Sequence, residues 1–343
     1  KFMIIVYFFF PLALITSSSL GIIISPNWSC APFVWVLILV PIIDYLIPIL
    51  NNHDSNLSET KLHNYALIMI LPGIFFLIVF GLIKVAENEI SYLQSMAIGA
   101  AVGMSGGSIG ITTAHELIHR SDKKMRGIGV FLLVLCLYGH FRIEHIYGHH
   151  KHFATKQDPA SARKGENFYA FLCRCVVMSF ISALNIEKNI LKKKNLSFFN
   201  FKNRMIHYLL LEFLLLFISL LIAGMNGLIF ILTHCAISII LLELVDYIQH
   251  YGLERKIKNG KYEAYDGEQH SWNSRHTSAN WSTFNLGLHA EHHQTASKHY
   301  PLLSQQKKLI EMPSNYPVMI MMALVPPIWF TVMDKKISQK TNL

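Results

Sequence analysis

Apolar residues run almost unbroken from 2 to 24 and recur over about 32–50, 65–83, 92–113, 205–223 and 227–247, while charged residues gather in the links. A helix rises 1.5 Å per residue, so runs of this length span the roughly 30 Å hydrocarbon core of a bilayer. The length of the first run favours a spanning helix over a secretory signal, whose apolar stretch is shorter. The last two runs are separated only by Gly224-Met225-Asn226-Gly227 and read as a helical hairpin. The fourth run is lightened by Gly99, Gly103, Gly106, Gly107 and Gly110, small residues that let membrane helices approach closely, and it leads straight into His115 and His119. Two weaker apolar stretches, 127–139 and 317–333, are too short or too broken by Pro326-Pro327 to cross; they read as re-entrant or interfacial pieces. The pattern predicts an all-α membrane protein, a single domain over 1–343 with six transmembrane helices.

Charge orients these spans. The links at 25–31 and 224–227 carry no Lys or Arg, whereas the segment between the fourth and fifth spans holds Arg120, Lys123, Lys124, Arg126, Arg142, Lys151 and the Lys192-Lys193-Lys194 run. The positive-inside rule puts that segment and both termini on the cytoplasmic side, giving a His-rich cytoplasmic lobe over 114–204 and 248–343. Composition agrees: 52% hydrophobic against 15% charged residues is too apolar for a soluble enzyme. The formal charge of +9 is explained by membrane topology, and no aromatic-interleaved basic patch points to nucleic acid. Cys30, Cys136, Cys173, Cys175 and Cys235 form no C-x-x-C pair, which leaves histidine as the enriched metal ligand.

Eight histidines fall in three clusters: His115 and His119; His145, His149 and His150; His289, His292 and His293. In the last cluster the i, i+3, i+4 spacing puts three imidazoles on one helix face, able to converge on a single point. His115-Glu116-Leu117-Ile118-His119 alone matches the zinc-protease motif, but that chemistry needs only one more ligand and the chain offers six. So many imidazoles suit a pair of metal ions, and redox metals beside a bilayer suit O₂ activation against a lipid-soluble substrate. His53, His63, His140, His152, His207, His234 and His299 read as structural or exposed, while His270 and His276, flanking Trp272-Asn273, are lesser candidates for the metal. Glu116, Glu144, Asp158, Glu268 and Glu291 are candidate hydrogen-bond acceptors for the ligands. The second span, around Tyr45, is the candidate wall of a substrate channel.

His115-Glu116-Leu117-Ile118-His119-Arg120, the run from Glu144 through Asp158-Pro159-Ala160-Ser161-Ala162-Arg163, Asp246-Tyr247-Ile248-Gln249-His250-Tyr251-Gly252-Leu253, and Leu286-Gly287-Leu288-His289-Ala290-Glu291-His292-His293 occur in that order. Together these motifs resemble the integral-membrane alkane 1-monooxygenases of the AlkB type, with the xylene monooxygenases as relatives; the similarity runs from about Ala114 to Met333. The resemblance implies a non-haem diiron centre held by His115, His119, His145, His149, His150, His250, His289, His292 and His293. Of these, His250 follows from the resemblance alone. It also implies O₂ as co-substrate and a terminal methyl group as target, most simply that of a medium-chain n-alkane, in a multi-pass protein of the bacterial inner membrane. No flavin or nicotinamide fingerprint occurs, so electrons come from a partner, which the resemblance implies is rubredoxin, served by rubredoxin reductase. The alternatives are hydroxylation of an aromatic methyl group, fatty-acyl desaturation, and a metal transporter or sensor in which the histidines only bind. The family's third motif is commonly N-Y-x-E-H-Y-G and its last L-Q-R-H-S-D-H-H. Here Asp246 and Gln249 replace Asn and Glu, and Leu288 and Glu291 replace Arg and Asp, which alters the ligands' surroundings and hence substrate or redox behaviour.

Overall fold

The computed structural model describes residues 2–47, 49, 60–303 and 309–341. Six of its helices are long and apolar enough to cross a membrane, and they account for every predicted span. The first four are α1 (Phe2–Ile23), α2 (Pro26–Leu46), α3 (Lys61–Val85) and α4 (Tyr92–Ile118). A short helix α5 (Lys123–Leu135), begun by the Asp122 side chain accepting from Lys124 and Met125 N–H, covers one weaker apolar stretch. Helical turns at 141–152 form α6.

The predicted spans 205–223 and 227–247 fall within the helical stretch Arg204–His250, which breaks at Ala223 and at Gly224 (φ +55°). A Cβ on Gly227 would run into the Ser219 carbonyl. Eight residues of continuous helix would put these two about 12 Å apart, so the chain doubles back here. Both halves flank the loop after α5: Glu212 accepts from Gly139 N–H (2.8 Å), and His234 lies 3.1 Å from the Leu135 carbonyl.

The sixth qualifying helix was not among the predicted spans. Phe168–Lys193 (α7) lies inside the stretch assigned to the lobe, and the two halves of the broken helix are numbered α8 (204–222) and α9 (225–250). The buried residues of α7, Phe168, Phe171, Cys175, Ser179, Ala183, Glu187 and Leu191, recur every three or four positions, so one face packs inward, while Tyr169, Val177, Met178 and Ile181 are apolar and exposed. Glu187, Lys188, Lys192 and Lys193 gather at its end, and Arg174 is the one charge over 168–185.

The remaining chain is short pieces: a two-stranded hairpin of β1 (Ile257–Lys258) and β2 (Lys261–Tyr262), then α10 (Gly267–His270), α11 (Thr277–Ser282) and α12 (His289–Gln294). α13 (Tyr316–Ala323) and α14 (Pro326–Thr341) meet at a bend of 119°, as expected for a re-entrant or interfacial piece.

The site is positioned by α4 and α9, which pack backbone against backbone. A Cβ on Gly99 would sit 2.5 Å from the Phe230 carbonyl, and one on Gly103 2.7 Å from the His234 carbonyl. Only glycine permits that approach. It sets the His115 end of α4 beside the His250 end of α9. Asp44, a carboxyl inside α2, accepts from the Ser278 N–H (2.6 Å) at the start of α11 and so ties the second span to the histidine-bearing segment.

Candidate metal centre

Two helical irregularities aim the histidines. In α4 the turn Gly106–Ile111 is π-helical, which shifts the register of everything after it, including His115 and His119. In α6 the turn His145–His149 is π-helical as well. Widening that turn brings His145 and His150 together, with their Nε2 atoms 3.0 Å apart, and leaves His149 facing elsewhere. π-turns recur where a helix must re-aim side chains at a functional site.

The nine histidines collect into two groups. His115, His119, His145, His150 and His292 form one, and His149, His250, His289 and His293 the other; within each, one nitrogen per ring lies within 4.8 Å of all the rest. The groups adjoin, with the His150 and His293 ring centroids 4.7 Å apart. The cluster 289–293 therefore does not converge on a single point. His289 and His293, one turn apart, serve the four-membered group, while His292 turns to His115 at a centroid distance of 4.4 Å. The cluster 145–150 is divided in the same way.

The nitrogens fit metal ions better than they fit one another. His145 Nε2 has two Nε2 neighbours, His119 at 3.1 Å and His150 at 3.0 Å. His293 Nε2 also has two, His149 at 3.3 Å and His289 at 2.8 Å, and His289 Nε2 meets His250 at 3.1 Å. An imidazole nitrogen offers one lone pair or one N–H, directed one way, so it cannot satisfy two such neighbours. A shared ion can, since ligands about 2.1 Å from a metal at right angles lie about 3 Å apart. Burial pushes His119 down to about 4 and holds His145, His150, His289, His292 and His293 well below the usual imidazole value. The rings are therefore neutral at pH 7, as ligation requires. Among the described residues neither group includes a carboxylate or thiolate.

Of the candidate acceptors, Asp158 meets one of these nine histidines. Its Oδ2 lies 2.9 Å from His149 Nδ1 and accepts from Ser161 Oγ (2.6 Å), while Oδ1 accepts from Ala160 N–H (3.0 Å). Burial works to raise this carboxyl, but His149 and Ser161 outweigh it and leave it below the usual carboxylate value. The carboxylate thus holds the His149 proton on Nδ1 and leaves Nε2 free to face the group.

The other acids do different work. Glu116 pairs with Arg120 (2.8 Å) and accepts from Tyr300 N–H (3.2 Å), so it braces the end of α4. Glu291 pairs with Lys298. Glu144 is buried against Gly148 with Ser182 Oγ at 3.4 Å, and burial drives its carboxyl well above the usual value. His270 and His276 stand outside both groups: His270 lies 3.1 Å from Asp266 N and near Glu263, and His276 Nδ1 lies 3.1 Å from Ser274 Oγ. His53 falls outside the described residues, and the Glu268 side chain is not described.

An apolar cavity reaches one histidine of each group, His115 and His289. Its walls include Phe10 and Leu14 of α1, Trp35, Val36 and Val40 of α2, and Leu241, Leu242 and Val245 of α9, with Ile320 of α13. The second span does form a wall, but through Trp35 to Val40. Tyr45 points away and is 91% exposed. Asp246 and Gln249 also line the cavity, Gln249 donating to Tyr316 Oη (2.7 Å), and Leu288 is packed in the core.

Comparison with known proteins places this geometry. The family model described as fatty acid desaturase matches residues 91–321. Alkane 1-monooxygenase 2 of Pseudomonas aeruginosa is 33% identical over 93% of this chain and 89% of its own length. The alkane 1-monooxygenase of Acinetobacter baylyi is 33% identical over 88% of this chain and 74% of its own. The xylene/toluene monooxygenase hydroxylase component XylM of Pseudomonas putida is 26% identical over 80% and 73%. With its membrane helices, its divided set of nine histidines and relatives matched over nearly its whole length, the chain belongs to the alkane 1-monooxygenase family, within the wider family of fatty acid desaturases.

Proposed function

We propose that the chain binds two iron ions, one in each histidine group, and uses O₂ to hydroxylate the terminal methyl group of an n-alkane of medium length. The observation that carries this reading is the apolar cavity bordered by His115 of one group and His289 of the other. A hydrocarbon has no polar handle, so it binds through burial, worth about 0.8 kcal/mol per methylene, and is aligned by the shape of the walls. Bound iron would supply the redox chemistry of O₂ activation. The chain's own part is to fix nine imidazoles by two π-turns and the glycine-packed α4–α9 pair, to hold the His149 tautomer through Asp158, and to keep water from the methyl group. All nine histidines act as metal ligands in this reading, with His250 supplied by the end of α9 and Asp158 supporting one of them.

Electrons arrive from reduced rubredoxin, regenerated by rubredoxin reductase, docking on the side rich in Lys and Arg. That side is the cytoplasmic face of the inner membrane by the positive-inside rule. The named alkane 1-monooxygenases support the substrate class. XylM and the aromatic side chains Phe10 and Trp35 in the wall favour an aromatic methyl group as the second reading. Reconstitution with reduced rubredoxin under ¹⁸O₂ tests the reaction: a 1-alkanol carrying ¹⁸O is expected. An unlabelled alkene would mean desaturation instead.

A further inference from the structure

The cavity lining is mostly apolar, with the hydroxyls of Ser108, Thr112, Ser282, Thr283 and Tyr316 among its polar groups, and its carboxyl and amide come from α9. Leu241, Leu242 and Val245 line the cavity first, then Asp246 and Gln249, and the ligand His250 follows. At 1.5 Å per residue, Asp246 lies about 6 Å along the axis from His250 and Leu241 about 13 Å. The polar pair therefore sits at the end of the cavity where the reaction takes place.

Asp246 is 6% exposed, and its carboxyl makes no hydrogen bond among the described residues. The ionisable groups that bear on it, Glu243, Asp158 and Glu144, are all acids. A structural ion pair thus does not account for it. Gln249 is fixed differently: its amide nitrogen donates to Tyr316 Oη (2.7 Å) and reaches the Leu286 carbonyl (3.4 Å). Both residues border the cavity, and an unpaired carboxyl there is costly until a partner arrives.

An alkane offers no such partner, but its hydroxylation product does. The new O–H forms within a largely apolar cavity, where leaving it unpaired is costly. We propose that Asp246 binds the hydroxyl of the product alcohol, making this cavity a site for primary alcohols as well as for hydrocarbons. The proposal rests on the reading that the cavity holds the hydrocarbon. It predicts that 1-alkanols bind more tightly than their hydrophobicity accounts for.

Equilibrium dialysis of radiolabelled 1-octanol and radiolabelled n-octane against the iron-loaded, full-length protein, without reductant so that nothing turns over, reads this directly. Asp246→Leu removes the hydrogen bond at similar volume. It is expected to weaken 1-octanol about 10-fold, as loss of a hydrogen bond to a carboxyl implies, and to leave n-octane within about 2-fold. Equal weakening of both ligands, or of neither, would overturn the proposal. If that variant does not accumulate, Asp246→Ala decides by the same criterion. Failure of the wild-type protein to bind n-octane would instead overturn the reading of the cavity itself, and the two failures are distinct.

Discussion

Replacing Asp158 tests whether the two histidine groups are separate sites. Asp158→Asn changes one atom of a carboxyl that accepts three hydrogen bonds, from His149 Nδ1 (2.9 Å), Ser161 Oγ (2.6 Å) and Ala160 N–H (3.0 Å). The amide has one acceptor oxygen, so its NH₂ must face either the Ala160 N–H or the His149 and Ser161 donors. If the oxygen keeps His149, the cost falls on Ala160 and is about 1–3 kcal/mol of stability. If it does not, His149 loses the group that fixes its tautomer. Removing such a partner weakens metal binding 10–100-fold, about 1.4–2.7 kcal/mol. Asp158→Ala removes every acceptor and should reach the upper end of that range. The assay is iron titration of the full-length protein in detergent, followed by metal analysis and spectroscopy that resolves two environments. The group of His149, His250, His289 and His293 should lose iron first while the other keeps its own. Equal weakening of both sites in both variants, or of neither, would refute the reasoning.

Other expectations follow from packing and charge. Gly103→Leu would force α4 off the His234 carbonyl; overpacking of 1–3 kcal/mol or more is expected, read as a lower midpoint of thermal unfolding and loss of iron. Trp35→Ala enlarges the cavity wall and should shift the preferred alkane to longer chains in a product profile, whereas Tyr45→Ala should leave that profile unchanged. Glu166 accepts from Arg174 Nε and Nη2, both at 2.7 Å. Burial works to raise its carboxyl, but Arg174 and the Arg163 N–H outweigh it and leave it lowered. A carboxylate with a lowered folded-state value contributes stability that is fully present above its unfolded value of about 4.3 and is lost as pH falls through the folded value. Glu166→Gln should therefore destabilise by about 1 kcal/mol at pH 7, and the difference from wild type should shrink in denaturation curves as pH falls through the lowered folded value.

Much of the architecture is legible in the sequence because hydropathy reports spans directly, and Gly224 marks the reversal between the last two. The helix Phe168–Lys193 is apolar enough to be read as a span, with Arg174 its one charge over 168–185; the basic residues flanking it, Arg163, Lys164 and Lys192 to Lys194, are what assign it to the lobe. Eight of the nine histidines stand out by clustering. His250 has no clustered neighbour: it reaches the site only because the glycine stripe of α4 admits α9, a tertiary fact that spacing does not carry. The division of the clusters is likewise hidden. Positions i, i+3 and i+4 share a helix face, but a face is wide enough to serve two points, and π-turns have no residue signature of their own. Asp158 was one of five plausible acids, and distinguishing it needed the fold of the 153–161 loop. Tyr45 lies on the wall-forming span but on its outward face, and which face of that span looks inward depends on the π-helical turn Trp35–Leu39.

The central claim is that nine histidines make two adjacent metal sites rather than one. Iron content of the full-length protein, measured for wild type, His119→Ala and His250→Ala, tests it most directly. About two irons per chain in wild type and about one in each variant, with different spectroscopic environments remaining, is the predicted result. One iron in the wild type, or loss of all iron in either variant, would contradict it.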